Sequence, residues 1–158
     1  MVLMPGFQHN APGPFMMENK VVEVDLWDTA DDPATWADAD LFVVVYNANS
    51  VESCGAVETW IEGARADGPA GACLAIFANQ MDQIAPSPSE LGGTAAAEPQ
   101  LVAAGRAIAD DQGAVFATCS ATTREGLNEA LQAAVRSVLV ARGVLPALGG
   151  YKKKCLVM

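Results

Sequence analysis

Apolar runs of strand length recur along the chain, separated by loop-forming residues. Residues 21–27 alternate between apolar and polar, the pattern of a half-buried strand. Three further runs are almost continuously apolar, which suits short strands buried on both faces of a parallel sheet. They cover residues 41–46, 73–78 and 114–118. The pattern therefore predicts four strands.

Between the strands, apolar positions recur every three to four residues, which is the spacing of one helix face. The ends of three predicted helices are marked by capping and helix-ending residues: Asn49 and Glu52 with Gly68, Pro99 with Gly113, and Thr122 and Glu125 with Gly143. Strands that alternate with helices indicate βα units, hence an α/β fold with a mainly parallel sheet. In such sheets, ligands bind beyond the carboxyl ends of the strands.

Composition and charge argue against several functional classes. A chain of 158 residues suits one domain. The net charge of −10 argues against a nucleic-acid partner, because phosphate binding needs clustered lysine and arginine. The N-terminal residues lack the basic and apolar regions of a secretion signal, and no stretch reaches the roughly 18 apolar residues of a membrane span. Four widely spaced cysteines and one histidine favour reduced thiols over a zinc site.

The last seven residues are basic, unlike the rest of the chain. Lys152, Lys153 and Lys154 precede Cys155, and Leu-Val-Met follows it. This fits the C-a-a-X prenylation pattern, in which a final Met usually selects a farnesyl chain. One lipid gives marginal membrane residence, and each nearby lysine adds about 1 kcal/mol on an anionic surface. We predict a farnesyl or other prenyl group on Cys155 and a location on the cytoplasmic face of a membrane; otherwise the lysines serve solubility alone.

Four short motifs, in order along the chain, resemble those of the Ras superfamily of small GTPases. Trp27-Asp28-Thr29-Ala30 is similar to the switch II entry, and Asn79-Gln80-Met81-Asp82 is similar to the guanine-recognition motif N-K-x-D. Cys119-Ser120-Ala121 resembles the S-A-K loop, and Tyr46 to Ser50 with Trp60 to Glu62 resembles the fourth strand and third helix. The likeness covers residues 21–142.

The resemblance implies a three-layer G domain with GTP or GDP and Mg²⁺ as ligands. By this likeness, the Asp82 carboxylate accepts two hydrogen bonds from guanine, a donor pair that adenine lacks. Asn79 braces the loop and Ser120 belongs to the same base site. Ala121 offers a backbone N–H to the base carbonyl, and Asp28 reaches the metal ion. The implied partners are protein effectors or complex subunits, together with a membrane.

The phosphate-binding half of the family pattern is lacking in these 158 residues. The sequence has no G-x-x-x-x-G-K-[ST] loop and no Lys-Ser or Lys-Thr pair. Asp31 and Asp32 stand where the family has glycine and the glutamine that orients water. Gln80 and Thr122 replace two lysines of the base site. The expected domains are an irregular arm over 1–19, a small-GTPase-like domain without its first strand, phosphate loop and first helix over 20–143, and a hypervariable tail over 144–158.

Three functional interpretations follow. The first is a degenerate Ras- or Rab-like pseudo-GTPase, anchored to a membrane, that binds partners in signalling or trafficking. The alternative is a fragment of an active GTP-hydrolysing switch, and a third is an α/β binding domain with no nucleotide role. The sheet also lacks a central strand, which leaves hydrophobic edges exposed. Residues 1–4, residues 15–17 or a partner would fill that gap, unless the chain is a truncated product.

Overall fold

The computed structural model describes residues 15–18, 20–27, 36–84 and 99–146. Strands β1 (Phe15–Met17) and β2 (Lys20–Val22) pair as an antiparallel hairpin. A separate sheet contains β3 (Leu41–Asn47), β4 (Cys73–Asn79) and β5 (Val115–Thr118), with both of its ladders parallel and β4 in the centre. The three predicted buried strands and the parallel sheet are confirmed.

The first predicted strand is only partly correct. Regular pairing covers Lys20–Val22 and not the whole of residues 21–27, although burial still alternates there, with Val22, Val24 and Leu26 half-buried. Phe15–Met17 lies in a segment expected to be irregular, yet it is a strand because it pairs with β2. This pairing places it in the hairpin, so it does not fill the gap beside β3. Residues 1–4 lie outside the described part of the chain.

Four helices connect and flank the strands. They are α1 (Val51–Gly55), α2 (Val57–Asp67), α3 (Gln100–Gln112) and α4 (Leu127–Ala141). The first predicted helix is thus two helices that meet at Ala56. Its predicted cap is also wrong, because the Ser50 hydroxyl accepts from the Ser53 N–H at 3.1 Å. The predicted helix ends at Gly68, Gly113 and Gly143 are confirmed to within one residue.

Helices cover both faces of the parallel sheet. Alternate strand residues point to opposite faces, so one face packs against α1, α2 and α3 and the other against α4. The first core contains Tyr46, Ile76 and Val102, and the second contains Phe77 and Ala134. This is the three-layer arrangement expected for the domain.

A close contact between β3 and α3 fixes their separation. Tyr46 is 2% exposed and its hydroxyl donates to the Leu101 carbonyl at 2.8 Å. The tyrosine ring lies directly over Gly105, where an added Cβ atom would be 2.2 Å from the hydroxyl oxygen. Only a glycine leaves room for the ring at this point of the helix.

The chain turns back on itself after α4. The N–H groups of Val144 and Leu145 both donate to the Leu139 carbonyl, at 2.8 and 3.1 Å, and Leu145 is 4% exposed. The Arg136 guanidinium donates to the Pro146 carbonyl at 3.2 Å and forms an ion pair with Glu18 in the hairpin turn. Residues 144–146, expected to begin the hypervariable tail, are therefore docked against α4.

Candidate base-recognition site

Two motif loops meet at the carboxyl edge of the parallel sheet. In the ladders Asn47 is the register partner of Asn79, and Ala78 is the partner of Thr118. The loops after these strands therefore start side by side. The Cys119 N–H donates to the Ala78 carbonyl at 2.9 Å, so the pairing continues beyond the end of β5. The fold thus brings the 79–82 and 119–121 motifs together, as the sequence predicts.

Asn79 joins the two loops directly. Its side-chain oxygen accepts the Ala121 N–H at 2.9 Å, and the Cys119 thiol lies 3.9 Å from the same oxygen. The Asn79 side chain therefore links the two loops. The N–H expected to meet a base carbonyl already has an acceptor, so an incoming base would share that proton or displace the Asn79 oxygen.

Asp82 is held by Ser120. The Ser120 hydroxyl donates to Asp82 Oδ1 at 2.5 Å and accepts the Thr123 N–H at 3.1 Å. Ser120 is 1% exposed, whereas Asp82 is exposed. The second carboxylate oxygen, Oδ2, accepts no hydrogen bond from the described residues. A bonded, oriented carboxylate with one open oxygen is suited to accept hydrogen bonds from a planar ring edge.

The middle of the motif adopts an unusual backbone conformation. Gln80 has φ 65° and ψ 36°, in the left-handed region that costs a non-glycine residue about 1–2 kcal/mol. The Asn49 amide donates to the Gln80 carbonyl at 3.1 Å and holds this turn from the neighbouring loop. Sequence analysis missed this role of Asn49, because the two residues are far apart in the sequence.

The second loop ends at a glycine required by both space and conformation. Gly126 has φ 68°, and a Cβ atom there would be 2.6 Å from the Thr118 carbonyl oxygen. Helix α4 begins immediately afterwards, so Thr122 and Glu125 do not cap it. Instead the Glu125 carbonyl accepts the Ser120 N–H at 2.9 Å and closes the loop. The glycine lets the chain turn tightly enough to keep Ser120 beside Asp82.

Burial raises the pKa of the Cys119 thiol above its usual 9.0, and it also raises the pKa of Cys54. Both thiols are protonated in either state well below pH 9. Above pH 9 the thiols of the unfolded chain lose their protons at a lower pH than those of the folded chain. The free energy of unfolding therefore falls as pH rises. We expect urea unfolding from pH 8 to 10.5 to show this decline, with a shallower slope in Cys119→Ala and the shallowest in Cys54→Ala/Cys119→Ala. Equal slopes would contradict this assignment.

Other candidate residues lie outside the described ranges. These are the predicted metal ligand Asp28, the lipidation site Cys155 and the basic run Lys152, Lys153 and Lys154. Among the described residues, no group of three His, Cys, Asp or Glu side chains could hold a metal ion. None of the helices that the structure describes is long and apolar enough to cross a membrane.

The parallel three-stranded sheet and its helices define an α/β protein consistent with a Ras-like G domain. The model of the Ras family matches residues 8–140, and the chain belongs to this family. It is also 32% identical over 68 residues to Ras-related protein Rab-5B of Plasmodium falciparum (isolate 3D7). That alignment covers 39% of this chain and 33% of the relative, so the match spans about a third of the relative's length. Family membership implies GTP or GDP and Mg²⁺ as ligands by resemblance.

Proposed function

We propose that this chain is a partner-binding member of the Ras family that retains base recognition and does not hydrolyse GTP by itself. The observation that carries the proposal is the closed pair of loops, in which Ser120 orients Asp82 and Asn79 holds Ala121. These four residues fit a guanine base through the open carboxylate oxygen of Asp82. They are positioned by one another and need no phosphate contact.

The 158 residues contain no motif that would bind the phosphates of a nucleotide. Phosphoryl transfer depends on positioning and charge stabilisation by a lysine, a metal ion and backbone N–H groups. Hydrogen bonds to charged groups contribute roughly 1.5–3 kcal/mol each, so their loss outweighs what the base contacts supply. Asp31 and Asp32 replace, in the family pattern, glycine and the glutamine that orients water, so the motif gains two negative charges that disfavour a phosphate. We propose that nucleotide affinity is weak and does not depend on Mg²⁺.

Partner binding and membrane anchoring complete the proposal. The large apolar side chains of Val51 and Trp27 are 76% and 63% exposed, and we propose that they contact a protein partner. The C-a-a-X pattern at Cys155 and its three preceding lysines supply a lipid anchor and an electrostatic one. Together these features favour a role at the cytoplasmic surface of a membrane, in signalling or trafficking.

Titration with fluorescent guanosine, GDP and GTP tests the nucleotide part. We expect similar, weak affinities for all three, unchanged by Mg²⁺. Asp82→Ala removes the charged acceptor, which is worth about 1.5–3 kcal/mol, so the Kd rises roughly ten- to a hundredfold. Glu125→Ala removes an exposed carboxylate from the same loop cluster and serves as the matched control. Micromolar or tighter binding of GTP that requires Mg²⁺ would instead support an active switch.

A further inference from the structure

The outer face of the β1–β2 hairpin combines exposed apolar and acidic side chains. Met16 and Val21 are register partners, so their side chains lie on the same face, and they are 65% and 64% exposed. β2 ends at Val22, but exposure continues to alternate beyond it, and Glu23 and Asp25 are both exposed. We use "outer face" for these four residues. Lys20 is on the opposite side of the strand.

The chain leaves α4 beside this hairpin. One guanidinium, that of Arg136, contacts both Glu18 in the hairpin turn and the Pro146 carbonyl. Leu145, the residue before Pro146, is buried, and its N–H donates to the Leu139 carbonyl of α4. The segment that follows Pro146 therefore starts at the hairpin turn.

The residues beyond Pro146 have the complementary charge and sufficient length. Residues 147–158 carry three lysines and no acidic side chain. An extended chain spans about 3.3–3.6 Å per residue, so Lys152 can lie up to about 20 Å from Pro146. Glu18 lies in the hairpin turn, and Glu23 comes three residues after the start of β2 at Lys20, which is about 10 Å along an extended chain. The lysines can therefore reach the outer face, with their aliphatic stems against its apolar side chains.

We propose that the C-terminal segment of this chain, residues 147–158, docks on the outer face of the hairpin. Lys152, Lys153 and Lys154 face Glu23 and Asp25, and the neighbouring apolar residues cover Met16 and Val21. The contact does not depend on lipid attachment and goes beyond the proposed function. The same lysines also bind an anionic membrane, so docking on the outer face competes with membrane binding. While the segment is docked, its lysines are not available to the membrane.

Zero-length carbodiimide cross-linking of the full, unprenylated chain tests this contact. We expect amide bonds between Lys152–Lys154 and Glu23 or Asp25 within the monomer, identified by mass spectrometry. Glu23→Gln/Asp25→Asn should reduce intramolecular attachment of the tail at least fivefold, and 0.5 M NaCl should also reduce it because surface charges are screened. Glu58→Gln/Glu62→Gln, which changes two exposed carboxylates of α2, is the matched control and should have no effect.

Two further results distinguish other occupants of the outer face. Cross-links confined to a dimer band would identify a second copy of the chain, and no cross-link at all would leave the segment undocked; either overturns the proposal. Met16→Ser/Val21→Ser is expected to weaken intramolecular cross-linking without loss of folding, because both side chains are exposed. If that variant instead lowers binding of the farnesylated chain to phosphatidylcholine–phosphatidylserine vesicles, the face binds membrane and the proposal is wrong.

Discussion

We expect Gly105→Ala to lower the free energy of unfolding by about 1–3 kcal/mol. The new Cβ atom would lie 2.2 Å from the Tyr46 hydroxyl oxygen and 2.6 Å from Cζ of the ring, well inside normal contact. Overpacking of this kind costs about 1–3 kcal/mol. Moving the ring also breaks its 2.8 Å bond to the Leu101 carbonyl, worth about 1 kcal/mol. Alanine's better helix propensity, about 1 kcal/mol, offsets part of this cost.

Urea denaturation followed by circular dichroism measures the effect, and Gly55→Ala provides the control. Gly55 also lies in a helix, but a Cβ atom there would meet nothing within 4 Å. We expect that variant to be as stable as the parent or up to about 1 kcal/mol more stable. If the two variants behave alike, the close approach of Tyr46 to α3 is not what requires glycine at position 105.

Cys155→Ser is expected to abolish farnesylation and reduce membrane binding to background. The lipid is attached to the Cys155 sulfur, and its burial in the membrane contributes about 0.8 kcal/mol per CH₂. The test is incubation with farnesyltransferase, followed by intact-mass measurement and cosedimentation with vesicles that contain phosphatidylserine. Cys73→Ser makes the same atomic change in β4 and should keep the added mass and the binding. A parent chain that gains no farnesyl mass would contradict the assignment.

The lysines supply a separate contribution that can be measured on the same vesicles. Replacement of Lys152, Lys153 and Lys154 by glutamine should leave farnesylation intact. Three lysines at about 1 kcal/mol each amount to roughly a hundredfold in partition to anionic vesicles. Partition to neutral vesicles should hardly change. Equal losses on both kinds of vesicle would show that the lysines act on something other than membrane charge.

The buried strands and the α/β class were predictable because they depend on local composition. A run such as 41–46 has enough apolar side chains to be buried on both faces wherever it pairs. The hairpin was not predictable in the same way, since Phe15–Met17 is a strand only through its ladder with Lys20–Val22. The break at Ala56 was missed because the expected cap at Asn49 and Glu52 was joined to the helical repeat from Val57 to Ala64, although Gly55 between them weakens a helix.

In the candidate site, too, the sequence predicts the positions of the loops but not the hydrogen bonds between them. Asn79 and Ser120 could be expected to lie close together, because Asn79 ends one strand, Ser120 comes just after another, and those strands are parallel neighbours. The bonds that they make could not be expected, since they depend on loop conformations at Gln80 and Gly126. Asn49 illustrates the limit most clearly. Its sequence neighbours suggested a helix cap, whereas its amide contacts a carbonyl in another loop.

The purely parallel pairing of β3, β4 and β5 has a consequence for how the chain folds. Leu41 pairs with Cys73, and Ala75 pairs with Val115, so each ladder closes only after a long intervening segment has been ordered. Such non-local pairing slows folding and leaves apolar strands transiently unpaired. During synthesis from the N-terminus, β3 emerges well before its partner, and β4 must await β5. The chain is therefore expected to depend on chaperones at the ribosome more than a hairpin-built protein of equal size would.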